Sequence, residues 1–153
     1  MRPLFTALVL GLTFTPAYAD DLEDRYFEAQ QAFEDNMRTF YSSISPEIGA
    51  KFPRMVEDER VRVAMRCGLD FLRAEGGESA AEAAVAWVER AAATPIESFD
   101  DLAGPPNDQV DEALLLAAAD ACNSVELSME LMEESGFMEA MTSPEAMGLM
   151  QGN

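Results

Sequence analysis

The chain carries 29 acidic and 10 basic side chains in 153 residues, a formal charge of −19, and it has no histidine. Such acidity excludes nucleic acid as a partner, because phosphate binding needs clustered Lys and Arg. The missing histidine removes the commonest general base and transition-metal ligand together.

The first 19 residues read as a secretory signal. Arg2 supplies a positive start, Leu4 to Leu12 is a short apolar run, and Ala17-Tyr18-Ala19 behind Pro16 puts small residues where signal peptidase cuts. Cleavage is expected between Ala19 and Asp20, delivering the chain to a bacterial periplasm or outside the cell. The apolar run is too short to span a bilayer, and no later stretch reaches about 18 uncharged apolar residues, so no membrane anchor is expected after cleavage. The remaining 134 of 153 residues, with nine bases against 29 acids, suit one domain.

From residue 20 onward the pattern predicts an all-α protein, a small bundle of about four to five helices. Leu22, Tyr26, Ala29, Phe33, Met37, Phe40 and Ile44 recur at steps of three and four, the period of one helical stripe, and Ser45-Pro46 ends it. A linker through Gly49 and Pro53 leads to a helix over Arg54–Ala74, with Val56, Val63, Cys67, Phe71 and Ala74 on its inner face and Gly76-Gly77 as its stop. Ser79 and Glu82 form a capping-box pattern that opens an alanine-rich helix bearing Val85, Trp87 and Val88. Thr94 and Glu97 repeat that spacing around Pro95 and predict a short helix with Ile96, Phe99 and Leu102, before a loop at Gly104-Pro105-Pro106.

Asn107 or Asp108 is expected to cap the longest helix, running to Ser135 with Val110, Leu114, Ala117, Ala121, Val125 and Met132 down one side, and Gly136 to stop it. Beyond Gly136 only short helical turns fit, at Met138–Met141 and Pro144–Met150, so a frayed methionine-rich tail is expected from about residue 137.

Charge is unevenly placed. The nine bases of the mature chain all precede residue 91, whereas Glu97 to Glu145 holds 13 acids and no base. Arg62, Arg66 and Arg73 are expected to meet acids of the later helix; the other use of that acidity is to steer a cationic partner.

Cys67 and Cys122, an isolated even pair in an exported chain, predict a disulfide between the second helix and the longest one. No catalytic constellation emerges. Triads with histidine are impossible, Lys51 is the only lysine and stands in a linker, and calcium and phosphate loops are absent from the sequence. A non-catalytic protein-interaction or chaperone-like module, with a protein partner and no cofactor, is the expected class.

The alternative is monovalent copper. Met129/Met132, Met138/Met141 and Met147/Met150 are three pairs of equal internal spacing, each beginning nine residues after the last, and thioether sulfur suits that ion. The same side chains serve equally as adaptable apolar surface.

Overall fold

The computed structural model describes residues 17–106, 109 and 111–151. Residues 1–16 of the expected signal, the expected caps Asn107 and Asp108, and Val110 lie outside the described residues. Eight α-helices are present and no strand among the described residues.

The first helix, α1 (Ala17–Ile44), organises the rest by contributing to all three apolar clusters. Leu22, 1% exposed, packs with Leu69, Leu72 and Val85; Phe27 packs with Val61 and Met65; Phe40 and Tyr41 pack with Ile48, Phe52 and Phe137. The expected stripe is therefore real but too narrow, since Phe27, Glu34 and Tyr41 are buried beside it.

Ser45-Pro46 ends α1, yet the expected linker holds a further helix, α2 (Pro46–Lys51). Pro46 occupies its first turn, where a missing N–H costs nothing. Gly49 is required there: a Cβ would lie 2.7 Å from the Ser42 backbone nitrogen, so only glycine lets α2 fold back this closely on α1.

A 3-10 turn, Met55–Glu57, precedes α3 (Glu59–Gly76), which is capped by the Asp58 side chain accepting from the Arg60 N–H. The expected inner face of α3 is corrected. Val61, Ala64, Met65, Leu69 and Leu72 are buried, whereas Val63 is 56% exposed and Cys67 is also exposed. Two apolar stripes run along this helix, and packing against α1 and the following helices selects the other one.

Helix α4 (Glu78–Ala93) starts directly from Gly77 at φ +79°, and the expected Ser79–Glu82 cap does not form. Glu82 is drawn away instead by Arg25 on α1, which holds Glu82 at 3.2 Å and Glu89, one heptad on, at 2.9 and 3.0 Å. Asn36 Nδ2 donates to the Ala92 carbonyl at 2.7 Å, fixing the other end of the α1–α4 pair. The short helix after α4 lies later than expected. It is a 3-10 helix, Phe99–Ala103, whose capping box is Ser98 with Asp101 rather than Thr94 with Glu97. Gly104 lies beneath Trp87, whose indole N–H donates to the Pro105 carbonyl at 2.7 Å.

The expected long helix is two helices, α5 (Glu112–Ala121) and α6 (Ser124–Glu134). Asn123 stands at φ +55° and breaks the run, a left-handed conformation that asparagine tolerates better than most residues. Ala118 is buried, but Ala117, Ala121 and Val125 of the expected stripe are exposed, because the break redirects the faces. Gly136, at φ +73°, ends α6 as expected and starts α7 (Phe137–Met141), followed by α8 (Pro144–Gln151). The tail is not frayed through this region: Phe137, Ala140 and Ala146 are buried against Phe40, Tyr41, Ile48 and Phe52.

Candidate functional site

The two cysteines form the expected bond. Cys67 on α3 joins Cys122 at the end of α5, with a Cα–Cα distance of 5.7 Å. Closing a separation of 55 residues stabilises the fold by about 4 kcal/mol in the chain-entropy description. The bond lies where α5 gives way to α6, so it pins the break as well as tying α5 to α3.

The methionine pairs are divided by the fold. Met129 is 51% exposed while Met132 is half-buried against the core; Met138 is 38% exposed while Met141 is half-buried among aromatic side chains. Three residues on a helix differ by about 60° in direction, enough at the edge of a buried face to send one member in and the other out. Met147 is 44% exposed, and the Met150 side chain lies outside the described residues. The two pairs with both members described, Met129/Met132 and Met138/Met141, are therefore each split between surface and core. No group of three or more His, Cys, Asp or Glu side chains suited to a metal ion occurs among the described residues.

What the fold does bring together is Met129 of α6 and Met138 of α7. They line a shallow groove of about 500 Å³ with Glu126, Glu130 and Glu133. Residues 126, 129, 130 and 133 follow the helical spacing of one face, and Gly136 turns the chain so that Met138 faces the same opening. Leu131, on the opposite side of α6, is 8% exposed and anchors the helix. Val125, 63% exposed, extends the outward apolar surface.

The electrostatics of the bases differ from the expected pattern. Arg66 meets Glu23 of α1 at 2.6 Å and Glu59 at 3.3 Å, Arg62 meets Glu59 at 4.0 Å, and Arg73 meets Asp70 at 3.3 Å and Glu78 at 3.4 Å. Arg73 thus reaches the start of α4, but among the described residues none of the three pairs with an acid of α5 or α6. Arg60 does, holding Glu130 at 3.2 Å and Glu134 at 3.3 Å while also bonded to Asp58. Among the described residues Glu126 and Glu133 enter no ion pair.

A second feature escaped the sequence reading. Glu34, 3% exposed, is the only buried charged residue among those described, and it accepts the Val56 N–H at 3.2 and 3.4 Å. Burial pushes its carboxyl up to about 7, opposed by the Val56 N–H and by Arg38. It borders a cavity of about 140 Å³ with Tyr26, Gln30, Ser124 and Ser128. Its signal was present: Glu34 stands seven residues from both Phe27 and Tyr41, in the middle of an aromatic stripe.

Lys51 borders a cleft of about 300 Å³ between α2 and the last two helices, with Glu47 and Glu139. It pairs with Glu47 at 3.8 Å and is half-buried. No helix among the described residues is long and apolar enough to cross a membrane. No protein-family model matches the chain, and neither a characterised protein nor a solved structure matches it.

Proposed function

We propose that the protein is an exported, non-catalytic interaction module that holds a protein partner on the outward surface of α6 and α7. The observation that carries this reading is the exposure of Val125, Met129 and Met138 together on adjoining elements, α6 and α7. Among the described residues, six of the seven exposed large apolar side chains, Phe99, Leu116, Val125, Met129, Met138 and Met147, fall in the C-terminal half. Contiguous apolar surface rimmed by charge is the common form of a protein-binding site, and thioether side chains adapt to a partner's shape.

Export is supported by the sequence of residues 1–19 and by the position of the first core residue. Cleavage after Ala19 leaves Asp20 and Asp21 at the start of the helix, where carboxylates suit the dipole, and leaves Leu22 to fill the core. The disulfide agrees with an oxidising compartment.

The test is a photo-crosslinking side chain placed at position 129 or 138 in cells exporting the protein, with position 75 on exposed α3 surface as control. A discrete adduct from 129 or 138 and none from 75 is expected. Absence of any adduct, or an intact mass beginning at Met1, removes the corresponding half of the proposal. Monovalent copper remains a second reading only because Met129 and Met138 share one groove.

A further inference from the structure

We infer that the groove between α6 and α7 receives a cationic amphipathic helix, its apolar side on Met129 and Met138 and its basic side chains facing Glu126 and Glu133. The inference rests on the interaction reading above and names the partner's chemistry.

The floor and the rim are different in kind. Met129 and Met138 offer unbranched apolar surface, and Glu126, Glu130 and Glu133 surround it with three carboxylates within about two helical turns. Among the described residues, the one base paired with acids of α6, Arg60, is already shared among Asp58, Glu130 and Glu134. Glu126 and Glu133 therefore face each other's repulsion without compensation from a described residue, and an arriving cation relieves it. An anionic peptide, nucleic acid or anionic bilayer meets the same carboxylates as a barrier.

The shape selects a helix over an extended strand. Strand addition requires an open sheet edge, and among the described residues there is no strand to extend. A helix instead lays anchors spaced at three, four and seven residues on apolar surface, which Met129 of α6 and Met138 of α7 offer side by side. The groove is wide and shallow and has no buried charged side chain to orient a small ion, so affinity has to come from apolar area, with the rim setting orientation and association rate.

Global charge is the competing explanation, since a chain with 29 acids attracts any polycation. The experiment separates the two with three synthetic helical peptides of about 18 residues, identical on their leucine face and carrying lysine, glutamine or glutamate on the other. They are titrated into the mature protein labelled at the methionine methyl groups. The lysine peptide is expected to shift the Met129 and Met138 methyls saturably, and to bind at least about tenfold more weakly when salt rises from about 50 to about 300 mM. Replacing Glu126→Gln with Glu133→Gln should weaken it about tenfold, whereas the equally neutralising pair Glu97→Gln with Asp100→Asn, away from the groove, should change it less than about twofold. Met129→Leu with Met138→Leu should retain binding.

Equal weakening by the two neutralised pairs would reduce the effect to net charge and overturn the inference. Equal binding of the glutamine peptide at the same methyls would overturn the cationic preference while leaving the interaction reading intact. If no peptide moves Met129 or Met138, the inference fails; the crosslink from position 129 then decides independently whether the broader reading fails with it.

Discussion

The Glu34 carboxylate accepts the backbone N–H of Val56 at 3.2 Å across 22 positions of chain, tying the middle of α1 to the 3-10 turn before α3. The turn gains an acceptor for an N–H that its own short helix cannot satisfy, and an ionisable group is buried in return.

That burial fixes a pH dependence. Glu34 is held up to about 7 against an ordinary 4.5, chiefly by desolvation, with Asp35 adding to the rise and Arg38 and the Val56 N–H opposing it. The folded state thus binds this proton more tightly than the unfolded chain. The associated stability is complete below about 4.5 and is lost as pH rises through about 7. Glu34→Gln keeps an oxygen for Val56 and removes the charge, so it is expected to stabilise the protein by about 1–2 kcal/mol at pH 8 and to change little at pH 4.5. Urea unfolding of both proteins at the two pH values checks this; an equal difference at both would refute it.

Reducing the Cys67–Cys122 bond should be costly because the bond acts mainly by restricting the unfolded chain. A Cys67→Ser variant is expected to lose about 3–4 kcal/mol, with far-ultraviolet helicity largely retained at low temperature. Alkylation of the exported protein without reduction should label neither cysteine, and labelling of both would contradict the bond.

The helical class, the stripe of α1 and the stop at Gly136 were legible because each depends on local spacing or backbone conformation. The inner face of α3 was not, because Val63, Cys67 and Phe71 repeat as regularly as Val61, Met65, Leu69 and Leu72, and only packing against α1, α4, α5 and α6 decides between the stripes. Ser79–Glu82 matched a capping box, yet Arg25, 57 positions away from Glu82, offered that carboxylate a charged partner. The break after α5 had a local signal, Asn123 followed by Ser124, masked by the alanine-rich run before it. For the candidate surface, the methionine spacing drew attention to the right residues, but whether a pair faces inward or outward depends on where the core edge falls.

Arg25 supplies a test of how far the α1–α4 contact depends on charge. Its guanidinium bridges Glu82 and Glu89, but all three side chains are over a third exposed, so water screens the pairs. Arg25→Ala is expected to cost only about 1 kcal/mol, whereas Leu22→Ala, one turn earlier and 1% exposed, should cost about 3 kcal/mol through the cavity it leaves. Thermal unfolding of both variants gives the order directly. The reverse order would mean that the ion pairs, and not the apolar cluster, hold the start of α1.

Copper and protein binding make opposite demands on Met129 and Met138. A monovalent copper site needs the sulfur atoms, whereas a docking surface needs apolar bulk, which leucine supplies at similar volume. The fold turns Met132 and Met141 toward the core, so a site here would have to be built from Met129 and Met138 with carboxylate neighbours, a poorer set for a soft ion than three thioethers. Met129→Leu with Met138→Leu is therefore expected to leave helicity, thermal midpoint and partner crosslinking from position 125 essentially unchanged. Titration of monovalent copper under reducing chelator competition, on wild type and variant, provides the check. Submicromolar affinity in the wild type that disappears in the variant would show that the thioethers, and not the apolar surface they form, are what the groove uses.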